Sequence, residues 1–169
     1  VKLIILDREG VVCEPERGMN WSTQGFRLLD GAAEAIARFN HAGYQVALLQ
    51  DCEALHRGVC DMDRLNRLHA DLLQALAQRG ARVDVLLFAD ALTRSITDLM
   101  DRLRATAAQT LFVSGSAEHL ASALEAGCRA IRLLCMGPTL ASGADPASAI
   151  PEDALLRVDL GAVAREVAH

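Results

Sequence analysis

Aromatic residues are scarce in this chain of 169 residues, at 4%, with one Trp and one Tyr. A core of stacked rings is therefore excluded, and Leu, Val, Ile and Ala must fill it. Basic runs are also missing, and the net charge is −5, which argues against a nucleic-acid partner. No apolar stretch approaches the ~20 residues of a membrane span. Val1 to Leu6 is too short for a signal peptide and ends in charge, so a cytoplasmic location is expected. The five cysteines, Cys13, Cys52, Cys60, Cys128 and Cys135, are odd in number and include no CxxC pair. Neither a disulfide framework nor a Cys-based zinc site is expected from them; buried, reduced thiols are. His41, His56, His69, His119 and His169 have no ligand spacing among themselves either, and surface or core-edge roles are expected.

What the chain does have is aliphatic material, with 51% hydrophobic residues, enough for one core in one domain over 1–169. Apolar runs of strand length fall at 2–6, 44–49, 83–88, 110–113 and 130–134, with a short one near 155–158. They do not alternate, as expected of parallel strands covered on both faces. Helical periodicity fills the gaps. Asp30 can cap a helix over 32–41 that closes at Gly43. Met62, Leu65, Leu68/His69, Leu72 and Leu76 form one face of a longer helix that stops at Gly80. Ile96, Leu99, Met100 and Leu103 mark a third, Leu120, Ala123 and Leu124 a fourth, and 160–168 the last. Repeated β-α units predict an α/β fold with a doubly wound parallel sheet and right-handed crossovers. Sites in such sheets lie beyond the carboxyl ends of the strands. Two long loops, 13–29 and 135–154, are expected, the second rich in Gly, Pro, Ser and Ala.

The first strand ends in Asp7-Arg8-Glu9-Gly10. A carboxylate at the sheet edge can attack phosphorus and form an aspartyl-phosphate. A second carboxyl two residues on can protonate a leaving group and later activate water. A strand-end Asp also serves commonly as a loop cap, and the tetrapeptide alone leaves both roles open.

The segment Leu3-Ile-Ile-Leu-Asp7-Arg8-Glu9-Gly10-Val-Val resembles the first motif of the haloacid dehalogenase (HAD) superfamily. Further segments resemble one branch of it, the D-glycero-D-manno-heptose-1,7-bisphosphate 7-phosphatases and the related histidinol-phosphatases. These are the helix opened by Gly31, the run Gly43-Tyr44-Gln-Val-Ala-Leu-Leu, then His56-Arg57-Gly58, Thr139-Leu-Ala-Ser-Gly, Pro151-Glu and Asp159-Leu-Gly. The resemblance spans nearly the whole chain and implies a Rossmann-like HAD fold without a large cap. It implies a Mg²⁺-dependent phosphatase site with Asp7 as nucleophile and Glu9 as acid/base.

Several motif positions depart from the branch. Gln50 stands where a Thr or Ser contacts the phosphoryl group, and Asp51 and Glu53 follow it. Arg94 is the nearest replacement for a lysine. The loop after the third strand has no Cys, so no zinc is expected. In Ser114-Gly115-Ser116-Ala117-Glu118-His119, Gly115 takes the place of a metal-binding Asp and His119 that of a second Asp. The metal ligands left are Asp7, Glu9 and, as a stand-in, Glu118. The resemblance with these departures implies a catalytically degenerate homologue that binds a small phosphorylated metabolite or a protein partner. The alternative is a divergent phosphatase in which Gln50 and Arg94 hold the phosphate and Mg²⁺ binds weakly. In either case Asp7, Gln50, Arg94 and Gly115 are expected at one end of the sheet.

Overall fold

The computed structural model describes residues 1–14, 26–58, 60–133, 155–157 and 159–167. Trp21, most of both long loops, Cys135, Thr139, Pro151 and His169 lie outside them. The described elements are β1 (Lys2–Asp7), α1 (Ala32–His41), β2 (Tyr44–Asp51), α2 (Glu53–His56), α3 (Met62–Gln78), β3 (Val85–Ala89), α4 (Leu92–Leu103), β4 (Thr110–Ser114), α5 (Ala117–Glu125), β5 (Arg129–Leu133), β6 (Leu155–Arg157) and α6 (Leu160–Val167). The six strands form one parallel sheet in the order β3-β2-β1-β4-β5-β6.

Unbroken apolar strands put side chains on both faces, and each face acquires its own core. Ile4 and Leu6 of β1 join Val46, Leu48, Leu111 and Val113 under α1 and α6. Leu3 and Ile5 join Ala47, Leu49 and Phe112 under α4 and α5. That period of two across a doubly covered sheet is what the sequence pattern requires.

The elements differ from the sequence expectations at their edges. β3 begins at Val85 rather than Val83, because Asp84 takes over the start of the ladder. Its N–H donates to the Val46 carbonyl (2.8 Å), while its carboxylate accepts from the Val46 N–H (2.9 Å). Asp30 does not cap α1; Gly31 holds the N-cap position with φ 78° and no side-chain cap. The short helix α2 has no counterpart among the expected helices. β2 and β4 run further than expected, so Gln50 and Ser114 are strand residues rather than loop residues.

Gly127 closes α5 at φ +83°, and a Cβ built there would meet Ala107 Cβ at 3.3 Å. Both strain and crowding oppose a side chain. Gly127→Ala should destabilise the fold by about 1–2 kcal/mol, read as a lower midpoint in urea with an unchanged slope.

Candidate functional site

Strand order in the sheet reverses between β1 and β4: β2 and β3 lie on one side of β1, and β4, β5 and β6 on the other. This switch point is where parallel α/β sheets leave a crevice beyond the strand ends. Asp7, the last residue of β1, is in register with Leu49 of β2. Leu6 is in register with Val113, so Ser114 lies at the level of Asp7 on the other side. The turn beyond Asp7 is tight: the Arg8 carbonyl accepts from the N–H groups of Val12 and Cys13, and Gly10 takes φ 78°.

Asp7 is 6% exposed, and its carboxylate is held by two protein donors. The Ser114 hydroxyl donates to Oδ2 in a short hydrogen bond, and itself accepts from the Ser116 N–H at 2.9 Å. His119 Nδ1 lies 2.9 Å from Oδ2 and 3.1 Å from Oδ1. Since a carboxylate can only accept, this geometry makes Nδ1 the protonated nitrogen. Ser116 caps α5 by accepting from the His119 N–H (3.3 Å), which fixes the turn that carries the imidazole. The hydrogen bond to Asp7 raises the His119 pKa, partly opposed by burial and supported by the charges of Asp7, Asp51 and Glu118.

A second network lies behind the turn. Arg8 is 1% exposed, the largest fully buried side chain described. Its Nε donates to Gln50 Oε1 (2.6 Å) and its Nη2 to Glu9 Oε1 (2.7 Å). Gln50 Oε1 also accepts from His69 Nε2 (3.0 Å), and Gln50 Nε2 donates to the Asp51 carbonyl (2.8 Å). His69 sits on the buried face of α3, with its ring edge-on to Phe88. Burial, and then the charge of Arg8, lower its pKa from 6.5 to about 4.

That depression has a consequence for stability. A base whose folded pKa lies below its unfolded value contributes stability above the unfolded value. The contribution is lost as pH falls towards the folded value. Between pH 7 and pH 4 the chain should lose about 3 kcal/mol through His69 alone. Urea titrations across that window should show the loss, and His69→Gln should flatten this part of the profile.

The structure thus brings together Asp7, Glu9 and Gln50 of the expected site residues. Gln50 is 1% exposed, and its amide is engaged by Arg8, His69 and the Asp51 backbone. Glu9 is half-buried in its ion pair with Arg8. Gly115 follows Ser114 at the same sheet end. Arg94 lies in the first turn of α4, 85% exposed, with Asp98 at 3.9 Å along its own helix. Glu118 is exposed; its neighbour His119 is the residue of α5 that reaches Asp7.

Ser114, Arg8 and His69 carry no functional role in the sequence pattern, and His119 stands there only in the place of a second Asp. One signal was available for His69: at Leu65, His69, Leu72 and Leu76 an imidazole shares an apolar stripe and must find a buried polar partner.

No family model matches the chain. A D-glycero-beta-D-manno-heptose-1,7-bisphosphate 7-phosphatase of Bordetella bronchiseptica is 33% identical, with 99% of this chain and 98% of that protein covered. The chain belongs to this phosphatase family. The crystal structure of the D,D-heptose 1,7-bisphosphate phosphatase from B. bronchiseptica complexed with magnesium and phosphate superposes with a TM-score of 0.86. It is 30% identical, with 99% of this chain and 98% of that one covered. The corresponding enzyme of Burkholderia thailandensis gives a TM-score of 0.78 at 31% identity, with 98% and 97% covered. The Rossmann-like HAD fold is shared throughout.

Set against the magnesium of that family member, the residues present here do not fit the ion. Mg²⁺ demands hard oxygen ligands in an octahedral array. Asp7 is already engaged by a hydroxyl and an imidazole N–H, and Gly115 offers no side chain. Among the described residues no group of three or more His, Cys, Asp or Glu is placed to hold a metal. The described cysteines Cys13, Cys52, Cys60 and Cys128 are all buried. Burial pushes the Cys128 thiol up to about 11, which leaves it unreactive at neutral pH.

Proposed function

We propose that this member of the heptose-bisphosphate phosphatase family is catalytically degenerate and acts by binding a phosphorylated metabolite or a protein partner. The observation that carries the reading is the occupation of Asp7 by Ser114 and His119. Donors on both oxygens draw electron density from the carboxylate and fix its orientation, which weakens it as a nucleophile towards phosphorus. The arrangement around it points the same way. Glu9, the acid/base position of the related motif, is held in an ion pair with the buried Arg8 (2.7 Å). The position that contacts the phosphoryl group in the related motif is a buried, engaged Gln50.

The family's lysine has no substitute of its own kind either. Lys2 is the chain's only lysine, and it stacks on the Tyr44 ring (5.5 Å) at the start of β1, opposite to Asp7. A six-residue strand of roughly 20 Å separates them.

A phosphatase assay of the purified chain with Mg²⁺ on sugar phosphates, beside Asp7→Asn, tests the proposal. Turnover indistinguishable from that variant is expected. Turnover of about 1 per second or more, abolished in Asp7→Asn, would establish the alternative, a divergent phosphatase acting through Asp7.

A further inference from the structure

We infer that His119 replaces a divalent ion at Asp7, so that this site is built to stand without metal. The inference goes beyond catalytic degeneracy, because a site can lose turnover and still bind its metal. It begins from an electrostatic requirement. Asp7 is a carboxylate at 6% exposure, and Asp51, at the end of the neighbouring strand, acts on the same locality with like charge. A buried carboxylate in such company needs donors or a cation.

Here the donors belong to the protein. Ser114 approaches from β4 and His119 from the first turn of α5, each fixed by a further hydrogen bond through Ser116. The Nδ1–H of His119 donates to Asp7 whether or not the ring carries a second proton, so the clasp does not depend on titration. The clasp joins the ends of β1 and β4 to α5, across the switch point of the sheet. In this role His119 is a positioning residue: it holds Asp7 and needs no contact with a ligand.

The same geometry states what would reverse it. Asp at 119 would bring a second carboxylate to about hydrogen-bond distance from Asp7. Two carboxylates that close repel each other and create a demand for a cation. Asp at 115, one residue beyond Ser114, would add a third oxygen donor. Gly115 is not one of the glycines with positive φ, so its backbone is not in the left-handed region that disfavours other residues. Two substitutions, Gly115→Asp with His119→Asp, should therefore convert a metal-indifferent site into a metal-dependent one.

The test is thermal unfolding of four proteins in EDTA and in excess Mg²⁺: the native chain, His119→Asn, Asp7→Asn, and the double variant. The native chain should melt at the same temperature in both media. His119→Asn keeps an N–H donor of similar reach and should remain indifferent. The double variant should be destabilised in EDTA and regain roughly 5–10 °C with Mg²⁺ near a hundredfold excess over its dissociation constant. Should it fail to fold, NMR of the native chain decides: the His119 Nδ1–H resonance should be present and unmoved by Mg²⁺. A native chain stabilised by Mg²⁺, with the effect lost in Asp7→Asn, would overturn the inference, as would a His119 resonance displaced by the ion. Metal-free turnover would instead sink the degenerate reading and leave this inference standing.

Discussion

Restoring the family's site residues together is expected to raise Mg²⁺-dependent phosphatase turnover by about 100-fold or more over the native chain, with little gain from any one of them. The combined change is Glu9→Asp, Gln50→Thr, Arg94→Lys, Gly115→Asp and His119→Asp. As long as His119 donates to the Asp7 carboxylate, a shorter acid at position 9 or a hydroxyl at position 50 acts on a nucleophile that is not presented. Conversely, freeing Asp7 alone leaves it facing a phosphate dianion with unscreened charge, made worse by Asp51. Metal ligands, acid and phosphate contact form one unit, so their effects multiply only when all are present. Arg94→Lys should contribute least, since that side chain is 85% exposed and ion-paired along its own helix. The check is kcat of the combined and single variants on a sugar phosphate. A single change that recovers most of the gain would show that only one part of the site is defective.

Arg8→Ala is expected to be the most damaging single substitution for stability, at about 3–5 kcal/mol. Arg8 fills a large buried volume and donates to Gln50 and Glu9 at once. Its removal opens a cavity and takes an ion-pair partner from Glu9. It also strips one donor from a buried Gln50 whose other partner on Oε1 is His69. Arg8→Lys should rescue only part, because a single ammonium on a flexible stem does not reproduce a planar fork that serves two acceptors in different directions. Chemical unfolding of the native chain and the two variants measures both effects. If Arg8→Ala costs less than about 1 kcal/mol, within the reach of an ordinary hydrogen bond, the guanidinium does not hold this turn.

The sheet was legible because its physics is local. Leu3 to Leu6 and Val46 to Leu49 are apolar at every position, which only a strand covered on both faces tolerates. Asp7 could be placed at the crevice for the same reason, by the end of an apolar run. Asp7 and Gln50 lie at one sheet end by strand register, and Gly115 follows directly after β4; Arg94, in the first turn of the helix after β3, is exposed. The clasp was not legible. Ser114 and His119 are separated from Asp7 by more than a hundred residues; the i,i+4 spacing of His119 and Ala123 puts the imidazole beside the apolar stripe of α5, but it does not tell that Asp7 is its partner. Arg8 between two acids reads as a surface charge until the turn at Gly10 folds it under β2. The apolar neighbours of Asp84 read as strand, yet Asp84 begins the ladder through its side chain.

Covalent capture distinguishes an Asp7 that is held by Ser114 and His119 from one that is presented to substrate. The native chain and Asp7→Asn are incubated with Mg²⁺ and a small reactive phosphodonor such as acetyl phosphate, quenched in acid, and examined by intact-mass and peptide mass spectrometry for phosphoaspartate. No phosphoryl adduct at Asp7 above the level of the Asn variant is expected. A native chain that carries the phosphoryl group on Asp7 in near-stoichiometric yield would contradict a held Asp7.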